Sequence, residues 1–154
     1  MIRLVIVDDM PDIRNYLAEE LAAASEQFSV VGAAEDGTEA VKLVDSLLPD
    51  VVLMDIQMKT RTEGIYAIRI IHERHPDIKC IALTIHEDDE LIFQAYLAGA
   101  ADYIIKTRSI DTIKNSILAV VNNRLLLRPE VGQRLIQEYQ RCLLYTSPSP
   151  RDCS

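Results

Sequence analysis

The sequence predicts an α/β fold, a doubly wound parallel sheet of five strands with helices on both faces. Two observations support this prediction. Short apolar runs and longer amphipathic segments alternate five times along the chain, a (βα)5 pattern. Such alternation favours parallel strands joined by right-handed helical crossovers. The apolar runs are also largely unbroken by polar residues, which is typical of strands that are buried on both faces.

The first half of the chain supplies three strands and two helices. The predicted strands are Leu4–Val7, Phe28–Ala34 and Val51–Asp55. The first helix begins at Pro11, where a fixed φ and a missing N–H are tolerated. The second helix follows the turn Asp36-Gly37-Thr38, and Pro49 ends it.

The second half of the chain continues the alternation. The apolar stripe after Gly64 predicts a helix, and Pro76 closes it. Two further strands and two further helices complete the pattern. In order, the predicted elements are a helix at Ile65–His75, a strand at Cys80–Thr84, a helix at Glu87–Ala98, a strand at Ala101–Ile105 and a helix at Ser109–Val121.

The bulk composition limits the classes of function. A chain of 154 residues predicts one domain and a short extension. Its formal net charge of −8 argues against nucleic-acid binding by this chain alone. No apolar run approaches the roughly 18 residues of a membrane span, and the N-terminus lacks a signal-peptide pattern. The three cysteines show no metal or disulfide spacing. We therefore expect a reduced, cytoplasmic protein without membrane contact.

Polar residues stand at the carboxyl ends of four of the predicted strands. In a doubly wound sheet the ligand site lies at these ends, near the central strands. If the predicted topology holds, three acids, a hydroxyl and an amine converge at one edge of the sheet. These residues are Asp8, Asp9, Asp55, Thr84 and Lys106.

Crowded carboxylates require a cation or bound protons. Two of them about 4 Å apart repel by roughly 4 kcal/mol at an effective dielectric constant near 20. Oxygen ligands of this kind suit Mg²⁺ or Mn²⁺. Asp55 can serve as metal ligand, base or nucleophile, and attack on a phosphoryl group would give an acyl phosphate. Lys106 and Thr84 could then contact phosphoryl oxygens. The alternatives are a helix-capping Asp8-Asp9 turn and ordinary strand-end residues.

These five positions make the chain resemble a known family, the receiver domains of two-component response regulators. The matching motifs are the acidic pair after the first strand, "VVLMDIQM", "IALTIHEDD" and "ADYIIKT". They occur in the family's order, with the expected element between each pair, over residues 1–122. The resemblance implies a flavodoxin-like fold with strand order 2-1-3-4-5.

The resemblance also implies the chemistry of the phosphorylation site. Asp55 would accept a phosphoryl group from a sensor histidine kinase. Mg²⁺ (or Mn²⁺) would be held by Asp55, the Asp8-Asp9 pair and the backbone carbonyl of Gln57. The chain would thus be a phosphoacceptor with self-catalysed phosphotransfer and dephosphorylation, not an enzyme acting on a separate substrate.

The same resemblance assigns a conformational switch. Thr84 and Lys106 would bind the phosphoryl oxygens. Tyr103 matches the aromatic residue that rotates inward when the threonine moves towards the phosphate. The two residues of the switch would therefore be Thr84 and Tyr103.

The stretches "LTIHEDD" and "AGAADYIIK" resemble receivers that carry a C-terminal helix-turn-helix domain of the LuxR type. This implies a homodimer on phosphorylation and DNA binding through a missing output domain. Residues 123–141 are then a linker towards that domain. Residues 142–154 resemble a translated sequencing-library adaptor, and we predict that they are a non-native tail.

The loop after Asp55 departs from the family pattern. Many receivers have a proline after Met58, but here Lys59 follows, and the loop to Gly64 is about one residue longer. Two other functions are weighed. One is a stand-alone receiver that acts by protein contacts. The other is an aspartyl phosphatase of the haloacid dehalogenase type, which is disfavoured because its acids follow a D-x-D pattern and it usually carries a cap domain.

Overall fold

The structure is a computed structural model of the chain. The residues that it describes are 1–24, 26–58, 63–85, 88–106 and 109–123, with the single positions 132, 133, 136, 137 and 140. The predictions for the loop residues 59–62, for nearly all of the linker 123–141 and for the tail 142–154 lie outside the described residues.

Five strands form the sheet. They are β1 (Ile2–Val7), β2 (Phe28–Ala34), β3 (Val51–Asp55), β4 (Lys79–Thr84) and β5 (Asp102–Ile105). Their order is β2-β1-β3-β4-β5, and every pairing is parallel. The predicted fold class and strand order are therefore confirmed, with strand limits that differ from the prediction by at most two residues.

Within the described ranges, five helices connect and follow the strands. They are α1 (Pro11–Ala22), α2 (Gly37–Leu47), α3 (Glu63–Arg74), α4 (Asp89–Ala98) and α5 (Ile110–Val121). Side chains fix several of their beginnings. Asp36 accepts the Glu39 N–H at 2.8 Å and so caps α2. Among the described helices, none combines the length and the hydropathy needed to cross a bilayer.

The fourth helix begins later than the sequence predicts. The apolar pattern places its start at Glu87, whereas α4 begins at Asp89. The reason is the Asp88 side chain, which accepts the N–H groups of Glu90 and Leu91 at 3.1 and 3.2 Å. This cap sets the first helical residue, because it satisfies donors that have no partner within the helix.

The core consists of two apolar layers, one on each face of the sheet. Alternate residues of a strand enter different layers, as the pleat requires. Leu4 and Ile6 of β1 pack with the α1 and α5 side, and Val5 and Val7 pack with the α2, α3 and α4 side. The four apolar residues of β3 have no exposed surface at all. Burial on both faces explains why the sequence of β3 is apolar without alternation.

The register brings the strand ends to one edge of the sheet. Asp55 pairs with Leu83 across β3 and β4, and Thr84 pairs with Ile105 across β4 and β5. Asp8 follows β1 directly, and Val7 pairs with Met54. The polar residues after these strands therefore lie together, as predicted.

Candidate functional site

Asp55 ends the central strand and has no exposed surface. Both of its carboxylate oxygens have partners. Oδ2 lies 2.8 Å from Nζ of Lys106, and Oδ1 accepts the Gln57 N–H at 2.8 Å. A buried carboxylate needs such partners, because desolvation without them is costly. Lys106 supplies the positive charge that the end of this strand requires.

Lys106 lies between two carboxylates. Its Nζ is 2.8 Å from Oδ2 of Asp8 and 2.8 Å from Oδ2 of Asp55, and only 5% of its side chain is exposed. Its backbone N–H donates to the Thr84 carbonyl at 2.7 Å, which fixes the residue at the end of β5. One ammonium group thus faces two buried negative charges, and the local sum is negative.

Burial and charge pairing act in opposite directions on these groups. Desolvation raises the pKa of Asp55 above its usual value, against the hydrogen bonds from Lys106 and from the Gln57 N–H. Desolvation opposes the charged form of Lys106, but its hydrogen bonds to Asp55 and Asp8 outweigh this and raise its pKa. Lys106 is therefore a cation at neutral pH. An additional cation beside Asp55 would favour the ionised form of its carboxyl group.

A third carboxylate completes an acidic cluster. Oxygens of Asp8, Asp9 and Asp55 lie within 4.8 Å of one another. Two further hydrogen bonds hold Asp8: its Oδ1 accepts the Met10 backbone N–H at 2.9 Å, and its backbone carbonyl accepts from the Arg14 guanidinium at 2.8 Å. Oxygen ligands in this number fit a hard divalent cation such as Mg²⁺. The predicted carbonyl ligand, that of Gln57, belongs to the residue whose N–H contacts Asp55.

Thr84 ends β4 and is buried at the same edge. Its hydroxyl donates to the side-chain oxygen of Gln57 at 2.8 Å. The N–H of Ile85 donates to that same oxygen at 2.5 Å. The position of Thr84 was predicted from the sequence, but the role of the Gln57 side chain as its acceptor was not.

Tyr103 lies on β5 opposite Ala82, two residues before Thr84 on the neighbouring strand. The side chain is 94% buried. Its ring makes an edge-to-face contact with Tyr96 of α4, with centroids 6.1 Å apart and planes at 87°. The aromatic residue of the predicted switch is therefore turned towards α4 and away from solvent.

Comparison with known proteins identifies this arrangement. The family model for the response regulator receiver domain matches residues 4–118. The chain belongs to this family. The transcriptional regulatory protein DegU of Brevibacillus brevis is 36% identical over 140 residues, which cover 91% of the present chain and 58% of DegU. The chain spans less than two thirds of the length of the first curated relatives that it matches.

Solved receiver domains share the fold. The receiver of the response regulator NarL from Mycobacterium tuberculosis matches with a TM-score of 0.74 and 27% identity, over 80% of this chain and 98% of that one. A LuxR-family two-component response regulator from Aurantimonas matches with a TM-score of 0.76 and 27% identity, over 90% and 98% of the two chains. These similarities agree with the predicted family and with the predicted LuxR type.

Two residues that support the receiver site have roles that the sequence did not reveal. A Cβ on Gly64 would lie 2.2 Å from the Asp55 carbonyl oxygen, so only glycine allows α3 to pass this close to the end of β3. Glu63 accepts the Gly37 N–H at 2.8 Å and ties the start of α3 to the start of α2. Gly64 was recognised in the sequence as the residue that ends the polar loop, but the sequence did not indicate its close approach to Asp55.

A further buried carboxylate, outside the cluster around Lys106, lies beside Tyr103 on the α4–β5–α5 side of the receiver. Asp102 is 7% exposed. It accepts the Ser116 hydroxyl at 2.5 Å, the Tyr103 N–H at 2.8 Å and the Tyr96 hydroxyl at 3.4 Å. The one available signal was an acidic residue at the start of the apolar run in "ADYIIK", which by itself does not predict these partners.

Proposed function

We propose that this receiver belongs to a transcriptional response regulator and that Asp55 accepts a phosphoryl group from a sensor histidine kinase. One observation carries the proposal: a fully buried carboxylate at the sheet edge shares the ammonium of Lys106 with Asp8, next to Asp9. The site holds more negative charge than it neutralises. This is the arrangement expected where a cation and an anionic phosphoryl group bind together.

The transfer follows from the groups at this edge. A carboxylate oxygen of Asp55 attacks the phosphorus of the kinase phosphohistidine. The new O–P bond forms as the P–N bond breaks, and the imidazole keeps the electron pair and takes a proton from water. Lys106 balances the negative charge on the phosphoryl oxygens, and the Thr84 hydroxyl donates to one of them. The receiver is thus a phosphoacceptor with self-catalysed transfer and dephosphorylation.

The acidic cluster fits a divalent metal ion, Mg²⁺ or Mn²⁺. Asp8, Asp9, Asp55 and the backbone carbonyl of Gln57 would hold it. When bound, the metal neutralises charge on the transferring oxygens. The oxygen-only donor set and the carboxylate oxygens within 4.8 Å support this assignment.

Phosphorylation would bias a switch formed by Thr84 and Tyr103. The threonine hydroxyl moves to the phosphoryl group, and the Tyr103 ring follows it, which changes the α4–β5–α5 face. A homodimer of the receiver would form through this change, and a C-terminal domain, joined by residues 123–141, would bind DNA in the cytoplasm. The relatives named as transcriptional regulators support this output. Residues 142–154 resemble adaptor sequence and have no part in the function.

Phosphotransfer from a radiolabelled histidine kinase tests the acceptor. We expect the wild-type receiver to take the label in MgCl₂ and not in EDTA. Asp55→Asn should take none. Asp77→Asn is the matched control, since Asp77 is an exposed aspartate of the loop that precedes β4. Full labelling of Asp55→Asn would disprove the assignment.

A further inference from the structure

Gln57 contacts both Asp55 and the carboxyl end of β4. Its amide oxygen accepts two hydrogen bonds, from the Thr84 hydroxyl at 2.8 Å and from the Ile85 N–H at 2.5 Å. Its backbone N–H donates to the Asp55 carboxylate at 2.8 Å. One residue therefore contacts both the carboxylate and the donors at the end of the neighbouring strand.

Each of these two donors can make a full hydrogen bond to only one acceptor. A hydroxyl and a backbone amide each carry one hydrogen, so neither can make a full hydrogen bond to Gln57 and to a second acceptor at once. The end of β4 lies beside Asp55, because Asp55 pairs with Leu83 and the Ile56 N–H donates to the Leu83 carbonyl at 2.9 Å. An anionic group on Asp55 would therefore compete for the donors that Gln57 occupies.

We propose that the Gln57 side chain is an internal competitor of the phosphoryl group, holding the Thr84 hydroxyl and the Ile85 N–H until phosphorylation of Asp55 displaces it. In the unmodified receiver, the amide oxygen accepts the hydrogen bonds that a phosphoryl oxygen would accept after phosphorylation. Gln57 is then a positioning residue that acts through Thr84 and sets how readily the receiver accepts phosphate. This inference rests on the proposed role of Asp55 as phosphoacceptor.

Side-chain substitution separates this role from the metal site. Any residue except proline at position 57 keeps the N–H that contacts Asp55 and the carbonyl proposed as a metal ligand. Gln57→Met has a similar length and lacks the amide oxygen. Competition therefore ends in this variant, and the attack of Asp55 on phosphorus is unaltered.

The test uses the whole chain, with acetyl phosphate as phosphodonor and beryllofluoride as a non-covalent phosphoryl analogue, both in MgCl₂. In labelling, an Asp55 oxygen bonds to phosphorus as the bond to acetate breaks and acetate leaves. We expect Gln57→Met to label about threefold to tenfold faster at low donor concentration, the effect of one ordinary hydrogen bond. Its apparent dissociation constant for beryllofluoride should fall by the same factor.

Gln94→Met is the matched control. Gln94 lies on α4, and its amide donates to Glu90 at 3.0 Å. It should label and bind as the wild type does. If Gln57 had a purely structural role, its substitution would lower the free energy of unfolding in urea and leave the affinity for beryllofluoride unchanged. Gln57→Ala, which also removes the acceptor, gives the same test if the methionine variant does not fold.

The outcomes separate the two proposals. Faster labelling and tighter beryllofluoride binding in the Gln57 variants support the competition. Labelling and binding at or below the wild-type level, with the wild type active, overturn it and leave Asp55 as the acceptor. A wild-type chain that neither labels nor binds beryllofluoride disproves the proposed function, and the competition fails with it.

Discussion

At the scale of single residues, the shared ammonium of Lys106 governs the site. Two buried carboxylates, of Asp8 and Asp55, lie 2.8 Å from one nitrogen atom. The sequence placed these residues at one edge because each follows a strand of a parallel sheet. It could not show which oxygen Lys106 contacts, since that depends on side-chain packing among distant segments.

The charge imbalance predicts that the phosphoacceptor costs stability. Burial raises the pKa of Asp55, so the stability contributed by its protonated form is present at low pH and is lost as pH rises through the folded-state pKa. At pH 7 without metal, Asp55→Asn should therefore raise the free energy of unfolding, because Lys106 keeps Asp8 as its partner and one buried negative charge is removed. Urea denaturation in EDTA measures this. Asp77→Asn should leave the value unchanged, and a destabilised Asp55→Asn would contradict the account.

Gly64 predicts a steric effect close to Asp55. In Gly64→Ala the new Cβ would lie 2.2 Å from the Asp55 carbonyl oxygen and 2.9 Å from the Ile56 Cα, so the backbone has to shift. We expect a loss of about 2 kcal/mol in the free energy of unfolding, together with slower phosphorylation. The control is Gly32→Ala, whose Cβ meets the mobile end of Leu47 at 2.9 Å. Equal costs for the two variants would argue against a special constraint at Gly64.

At the scale of elements, local sequence signals determine where most helices and strands begin and end, and contacts between residues far apart in sequence determine how the helices pack. Pro11 and Asp36 mark the starts of α1 and α2 in the sequence, and the structure agrees. Asp88 shifts the start of α4 by a cap that the apolar pattern does not contain. The contacts between helices, such as that of Asp45 on α2 with Arg74 at the end of α3, join residues far apart in sequence.

The contact between α2 and α3 predicts a response to acid. Asp45 lies 2.7 Å from His75 Nε2 and 2.7 Å from Arg74 Nη1. The hydrogen bond from His75, with help from Arg74, lowers the pKa of Asp45 below 3.8. A lowered pKa gives stability that is present above the unfolded-state pKa and is lost as pH falls through the folded-state pKa. Asp45→Asn should therefore show a weaker loss of stability below about pH 4.

Thermal unfolding between acid and neutral pH measures this prediction. The control is Asp50→Asn, which removes a different exposed carboxylate, one that accepts the Arg3 N–H at 2.8 Å. Identical pH profiles for the wild type and Asp45→Asn would show that the contacts of Asp45 with Arg74 and His75 contribute nothing to the acid response.

At the scale of the whole molecule, the sheet order creates the site. With both faces of the sheet covered by helices, the strand ends are where polar groups meet. The alternation of strands and helices and the five residues at the strand ends were enough to predict the fold and the place of the site. The Gln57 bridge to Thr84 and the Asp102 contacts were not predictable, because side-chain hydrogen bonds between separate strands and helices follow from packing, not from spacing.

The most direct test of the account is the place of modification in the intact chain. The receiver is incubated with acetyl phosphate and MgCl₂, and peptide mass mapping locates the phosphoryl group. We predict a single phosphoryl group on Asp55, absent in EDTA and absent from Asp55→Asn. A phosphoryl group on any other residue, or a folded chain that takes none, would contradict it.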